Sequence, residues 1–176
     1  MIDRNTFTVE EWAQIIAVPA SIGALVVTAD PSGPIGLLNE FQAIMKTMKK
    51  HVDDTAAASP LMAAIQSYMA TKPSQEEEAE LKQWAETQQA EMKTDRPQNA
   101  EEMKLYVREK AGESLATLRA KGADEADITA FKALMIAVAE AAAAASKEGG
   151  FLGFGGVRVS EAEQSMLDQI KAELSA

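Results

Sequence analysis

Six helix starts, written in one local grammar, constrain this chain more than any other feature. Thr8/Glu11, Ser74/Glu77, Asn99/Glu102 and Ser160/Glu163 each set a small polar residue three positions before a glutamate, and Asp124/Asp127 is a weaker form. In such a capping box the first side chain accepts from free backbone N–H groups, while the acid reaches back to the N–H of the capping residue. Ser59-Pro60 is the sixth start, with proline at the first helical position, where its missing N–H has no intrahelical partner to lose. Stops are equally legible. Asp30-Pro31-Ser32-Gly33-Pro34 ends the first helix; Thr71-Lys72-Pro73, Asp95-Arg96-Pro97 and Lys121-Gly122 end later ones.

Starts and stops together predict seven helices, over 9–29, 35–54, 60–71, 75–94, 100–121, 125–147 and 161–174. The chain of 176 residues suits one domain, an all-α bundle of about seven helices spanning 1–176. Apolar residues make up 47%, rich in Ala and Met and poor in aromatics, a bias that favours helices. Several helices carry an apolar stripe. Leu38, Phe41, Met45, Met48 and Val52 step 3-4-3-4, the spacing of a seam facing a neighbour. Ile128, Phe131, Met135, Val138 and Ala142 repeat it, as do Met103, Val107, Ala111, Leu115 and Leu118, and Ala162, Met166, Ile170 and Leu174. The two long charged helices within 74–121, joined at a proline-bounded linker, predict an exposed antiparallel hairpin.

The first helix differs, being apolar nearly all round from Ile15 to Val27. It reads either as the central helix of the bundle or as a membrane insertion. Its charge-free run, Trp12 to Ala29, sits near the lower length limit for a span and holds Gln14, Pro19, Ser21 and Gly23, so the central position is expected. Pro19 predicts a kink or a junction of two shorter helices, and Gly23 a close approach by a neighbour.

The formal charge is −10 with Lys and Arg scattered, which disfavours nucleic acid and anionic membranes as partners. Absence of Cys excludes disulfides and thiolate chemistry. It also fits a cytoplasmic location, as does an N-terminus without the basic and apolar regions of a signal peptide.

No convergent catalytic set is visible, so no catalytic residue, metal ligand or cofactor is expected. His51 is the single histidine; it sits among Lys49, Lys50, Asp53 and Asp54 near a helix end, where a solvated imidazole is the ordinary outcome. A di-iron bundle needs two Glu-x-x-His motifs, and Met48 precedes His51 by three. Two loops remain as candidates. In Gly149-Gly150-Phe151-Leu152-Gly153-Phe154-Gly155-Gly156 the glycines suit sharp turns, and Phe151 and Phe154 either plug the core or form an exposed contact patch. Arg158 follows before the Ser160 cap. The turn at 30–36 offers Asp30 and Ser32, with Glu40 on the next helix. Asp30, Ser32, Phe151, Phe154 and Arg158 are therefore the candidate ligand- or partner-binding residues.

Glu10-Glu11-Trp12, the block Ala29-Asp30-Pro31-Ser32-Gly33-Pro34-Ile35-Gly36, and the block from Glu148 to Ser160 resemble a group of small bacterial all-helical proteins without an assigned activity. That resemblance implies a bacterial, cytoplasmic protein and no site residues. More distantly, a helix, an Ala-Asp loop and a helix begun by Ser-x-x-Glu look like elements of the TerB-like fold of tellurite resistance. The acidic loop residues of that family are mostly missing here, since Pro31 follows Asp30 and the second loop holds glycines and Arg158. The expectation is thus a non-enzymatic interaction or scaffold module acting on a protein partner or as a homo-oligomer. The alternative is a stress-response protein that binds a small ligand or cation.

Overall fold

A computed structural model describes residues 2–29, 33–94, 96–145 and 159–175. Among these it has seven helices and no strand: α1 (Val9–Ala29), α2 (Gly33–Thr55), α3 (Pro60–Ala70), α4 (Gln75–Thr94), α5 (Ala100–Ala120), α6 (Glu125–Ala145) and α7 (Glu161–Ser175). The caps close as their sequence dictates. Thr8 N–H donates to Glu11 Oε2 at 2.9 Å and Glu11 N–H to Thr8 Oγ1 at 3.2 Å. Ser74/Glu77 and Ser160/Glu163 form the same reciprocal pair. Asn99 accepts from Glu102 N–H, whose carboxylate reaches one residue further back, to Gln98 N–H.

Asp124/Asp127 departs from this pattern in an informative way. Asp124 accepts from Asp127 N–H at 2.9 Å, but the Asp127 carboxylate turns to another helix. Its Oδ1 accepts from Ser59 Oγ at 2.5 Å and from Leu61 N–H at 3.1 Å, while Ser59 Oγ accepts from Met62 N–H. Asp127 and Ser59 are both buried. One carboxylate on α6 therefore satisfies the open N-terminus of α3, a placement the helix dipole favours.

α1 touches α2, α4, α5, α6 and α7, and its Trp12 stacks on Tyr68 of α3 at 4.9 Å, so it is the central helix. Pro19 does not divide it; α1 runs through as one helix. Proline in a helix interior costs about 3 kcal/mol. Ile15, Val18 and Ile22 around it are buried, each worth about 1.5–3 kcal/mol, so packing wins. By length and composition α1 and α6 could each cross a membrane, and in this bundle 56% and 50% of their apolar windows are buried. Length and apolar content alone do not separate core helices from spans.

Most expected stripes face inward. Ile128, Phe131, Met135, Val138 and Ala142 of α6 are all buried, as are Val107, Ala111 and Leu118 of α5. On α7 the inward face is Leu167, Ile170 and Leu174, with Ala162 exposed. Of the two helices expected to stand out over 74–121, α4 buries no residue, whereas α5 lies against α1.

The α2 stripe is the exception. Its buried row is Gly36, Glu40, Ile44, Met48 and Val52, an i+4 ridge, not the 3-4-3-4 seam. The two rows share Met48 and Val52 and then diverge. A helix turns about 100° per residue, so Leu38 stands about 160° away from both Gly36 and Glu40. Ridge-into-groove packing along i±4 rows carries the contact obliquely across the helix and leaves the N-terminal half of the apolar seam facing out.

At the crossing of α1, α2 and α6 the expected close approach is found. A Cβ added to Gly23 would lie 2.8 Å from two Ile44 side-chain carbons and 3.0 Å from Val138 Cγ1. Gln14–Glu113 and Glu11–Lys121 contacts set α5 antiparallel to α1. Lys104–Gln169 and Arg108–Glu173 set α7 parallel to α5. Contacts of α2 and α3 with α6, from Ile44/Val138 down to Ser59/Asp127, set α2 antiparallel to α6. The short connection between Ala29 and Gly33 keeps the end of α1 beside the start of α2. Helix ends at Ala29, Gly33, Ala145 and Glu161 consequently gather at one end of the bundle.

Two stability measurements follow. Asp127→Ala strips the α3 start of its acceptor and strands a buried N–H, so urea unfolding should show a loss of about 2–3 kcal/mol. Gly23→Ala should cost about 1 kcal/mol net, because overpacking of about 1–3 kcal/mol outweighs a helix-propensity gain of about 1 kcal/mol. Ile44→Val alone should cost about 0.5–1.5 kcal/mol, yet less beside Gly23→Ala, since it removes Cδ1, one of the two Ile44 carbons that the added Cβ meets. Strict additivity of the two would contradict this crossing.

Candidate functional site

Asp30, Ser32, Phe151, Phe154 and Arg158 lie outside the described residues, as does the side-chain environment of the turn from Asp30 to Ile35. Glu40 is fully buried on the inward row of α2. Among the described residues, no three His, Asp or Glu side chains gather to hold a metal ion.

Two features emerge that the sequence did not place among the candidate sites. The first is the outward row of α2. Leu37, Leu38 and Phe41 are each 57% exposed and Met45 is also exposed, four of the six large apolar side chains exposed among the described residues. The other two, Met69 and Leu105, sit singly on other helices. Isolated exposed apolar residues are ordinary, whereas several on consecutive turns of one helix form a patch. The row lies beside the bundle end where α1 finishes and α6 ends.

The second feature is a groove of about 460 Å³ between α1, α5 and α7. Its floor is apolar, from Ile22 and Leu25 of α1, Val107 and Leu115 of α5, and Ile170 and Leu174 of α7. Ala111 and Gly112 leave it room; a Cβ built on Gly112 would meet nothing within 4 Å. Lys104 and Arg108 stand one turn apart at the rim, and Glu173 faces them. Arg108 reaches Glu173 only at 3.8 Å; Lys104 donates to Gln169 Oε1 and lies 3.9 Å from Glu101. The sequence signal was the Lys104/Arg108 pair beside small residues within the α5 stripe, but a groove built by three helices has no local signature.

His51 is half-buried near the C-terminal end of α2, and its Nε2 has no hydrogen-bond partner among the described residues. Burial holds the imidazole below its ordinary value of 6.5; Asp54 opposes this and Lys50 adds to it. Elsewhere, Arg4 pairs with Glu77 at 2.7 Å and lies over the Tyr68 ring, while Trp12 Nε1 donates to Arg4 C=O. This cluster ties the N-terminal segment to α1, α3 and α4.

Comparison with known protein families, with curated proteins and with solved structures finds no match. The roles assigned to these surfaces therefore rest on their own geometry.

The single imidazole makes one sharp test. An unfolded His51 takes up its proton near pH 6.5, while the folded one resists it to lower pH. Across that window the unfolded state binds more protons, so this residue's contribution to stability is complete above about pH 6.5 and falls as pH drops through the folded value. An NMR titration should place the His51 ring below 6.5, and His51→Asn should flatten the decline in urea midpoint over that range. A ring titrating at or above 6.5 would contradict the burial.

Proposed function

We infer that the chain is a non-enzymatic protein-interaction module whose contact face is the outward row of α2. One observation supports this: Leu37, Leu38, Phe41 and Met45 stand out on successive turns while Glu40 is buried on the opposite side. The N-terminal half of α2 is thus apolar outside and carries an acid inside, the reverse of what solvation alone selects. Leu38, Phe41 and Met45 fall at i, i+3 and i+7, the anchor spacing of helix-in-groove recognition, and Leu37 widens the row. Met45 adds a flexible, polarisable surface.

A second copy of the chain is the simplest partner, because a two-fold axis pairs one apolar patch with itself. The charge of −10 opposes association of copies at long range, but the Debye length is only about 8 Å at physiological salt. A cytoplasmic setting fits the same reading. So does the resemblance to small bacterial helical proteins.

Sedimentation over a range of concentrations should show a monomer–dimer equilibrium that tightens as salt is raised from low ionic strength. Phe41→Glu and Leu38→Glu should abolish the dimer while changing unfolding stability by less than about 0.5 kcal/mol, as befits exposed positions. Wild-type chain that stays monomeric at every concentration and salt would remove self-association. Dimers untouched by both variants would move the interface off α2.

A further inference from the structure

The geometry points to a second site: the groove between α1, α5 and α7 binds an amphipathic carboxylate, a fatty acid or a close acyl equivalent. The two halves of such a ligand have separate counterparts. Its chain matches the apolar floor built around Leu25, Val107 and Ile170, and the groove's volume of about 460 Å³ lies within the roughly 300–1,000 Å³ usual for small-molecule sites. Its head matches Lys104 and Arg108, set one turn apart on α5 at the rim. These cations are notable on a chain with a net charge of −10, since the overall field disfavours anions and local attraction must come from such a pair.

The state of the two cations supports the same class of ligand. The Lys104 side chain is only 20% exposed, its stem lying over the groove with the ammonium turned to Gln169, a neutral acceptor. The Arg108 guanidinium is 64% exposed and meets Glu173 only at 3.8 Å, beyond a good charged hydrogen bond. Both retain donor capacity that a carboxylate would fill. Glu173 at the rim and Glu101, 3.9 Å from Lys104, offset most of the pair's charge, so recognition rests on the donors of Lys104 and Arg108 more than on net charge. That suits a singly charged head better than a phosphate or a polyanion. A neutral apolar molecule would leave the rim unused.

Gly112 gives a way to close the groove without unfolding the chain. A side chain added there enters open space, and replacing glycine within a helix stabilises it. Isothermal titration of the full chain with dodecanoate should show one molecule bound per chain. Gly112→Phe should abolish binding with unfolding stability retained. Lys104→Ala and Arg108→Ala should each weaken dodecanoate roughly tenfold and leave dodecanol unchanged. Phe41→Glu should have no effect, which separates this groove from the α2 surface. No binding by the wild-type chain would overturn the proposal, as would binding that survives Gly112→Phe or is lost in Phe41→Glu. Dodecanoate and dodecanol of equal affinity, both indifferent to Lys104→Ala, would overturn the carboxylate assignment.

Discussion

Close contact at Gly23 is the constraint on which the bundle depends. Three helices meet there with no space for a Cβ, so α1 fixes the distance of both α2 and α6. Alanines on the inner face of α6, Ala139, Ala142 and Ala143, extend the same economy of volume along its upper half. Helices held this near leave little freedom in crossing angle, because side-chain ridges must enter facing grooves. The i+4 ridge of α2 follows from that crossing, and the exposed apolar row follows from the ridge.

A second long-range element, the Asp127 carboxylate under the start of α3, fixes the other end. It links residues 68 apart in the chain and joins α2's end to α6 through Ser59. Between these two points the core is mostly aliphatic, with Met48, Met62, Met135 and the single ring of Phe131. The aromatic rings Phe7, Trp12 and Tyr68 gather instead under the N-terminal segment, with Arg4 over Tyr68.

What could be read in the sequence was whatever is encoded locally. Thr8/Glu11 and Ser160/Glu163 specify caps within four residues, so every helix is found within about two residues of its expected bounds. Gly23 was legible as a close approach because only glycine lacks the Cβ. Pro19 does not split α1 in two, since its effect on the backbone is local while the packing around it comes from several other helices. The α2 seam misled for a related reason. Leu38, Phe41 and Met45 have the period of a buried stripe, but which row is buried depends on the crossing with α1 and α6. The groove was invisible, because Leu25, Val107 and Ile170 become neighbours only when three helices assemble.

The inverted half of α2 has one more consequence. Its C-terminal half is anchored by Ile44, Met48 and Val52, whereas among the described side chains nearer Gly33 the buried positions are Gly36 and Glu40, which bury little apolar surface. Amide exchange along this one helix should therefore be graded, slow from Ile44 onward and fast before it. A partner seated on Leu37, Leu38 and Phe41 would then do more than cover apolar surface. It would supply the missing anchorage, and the ordering of that half-helix would be charged against the affinity of the complex.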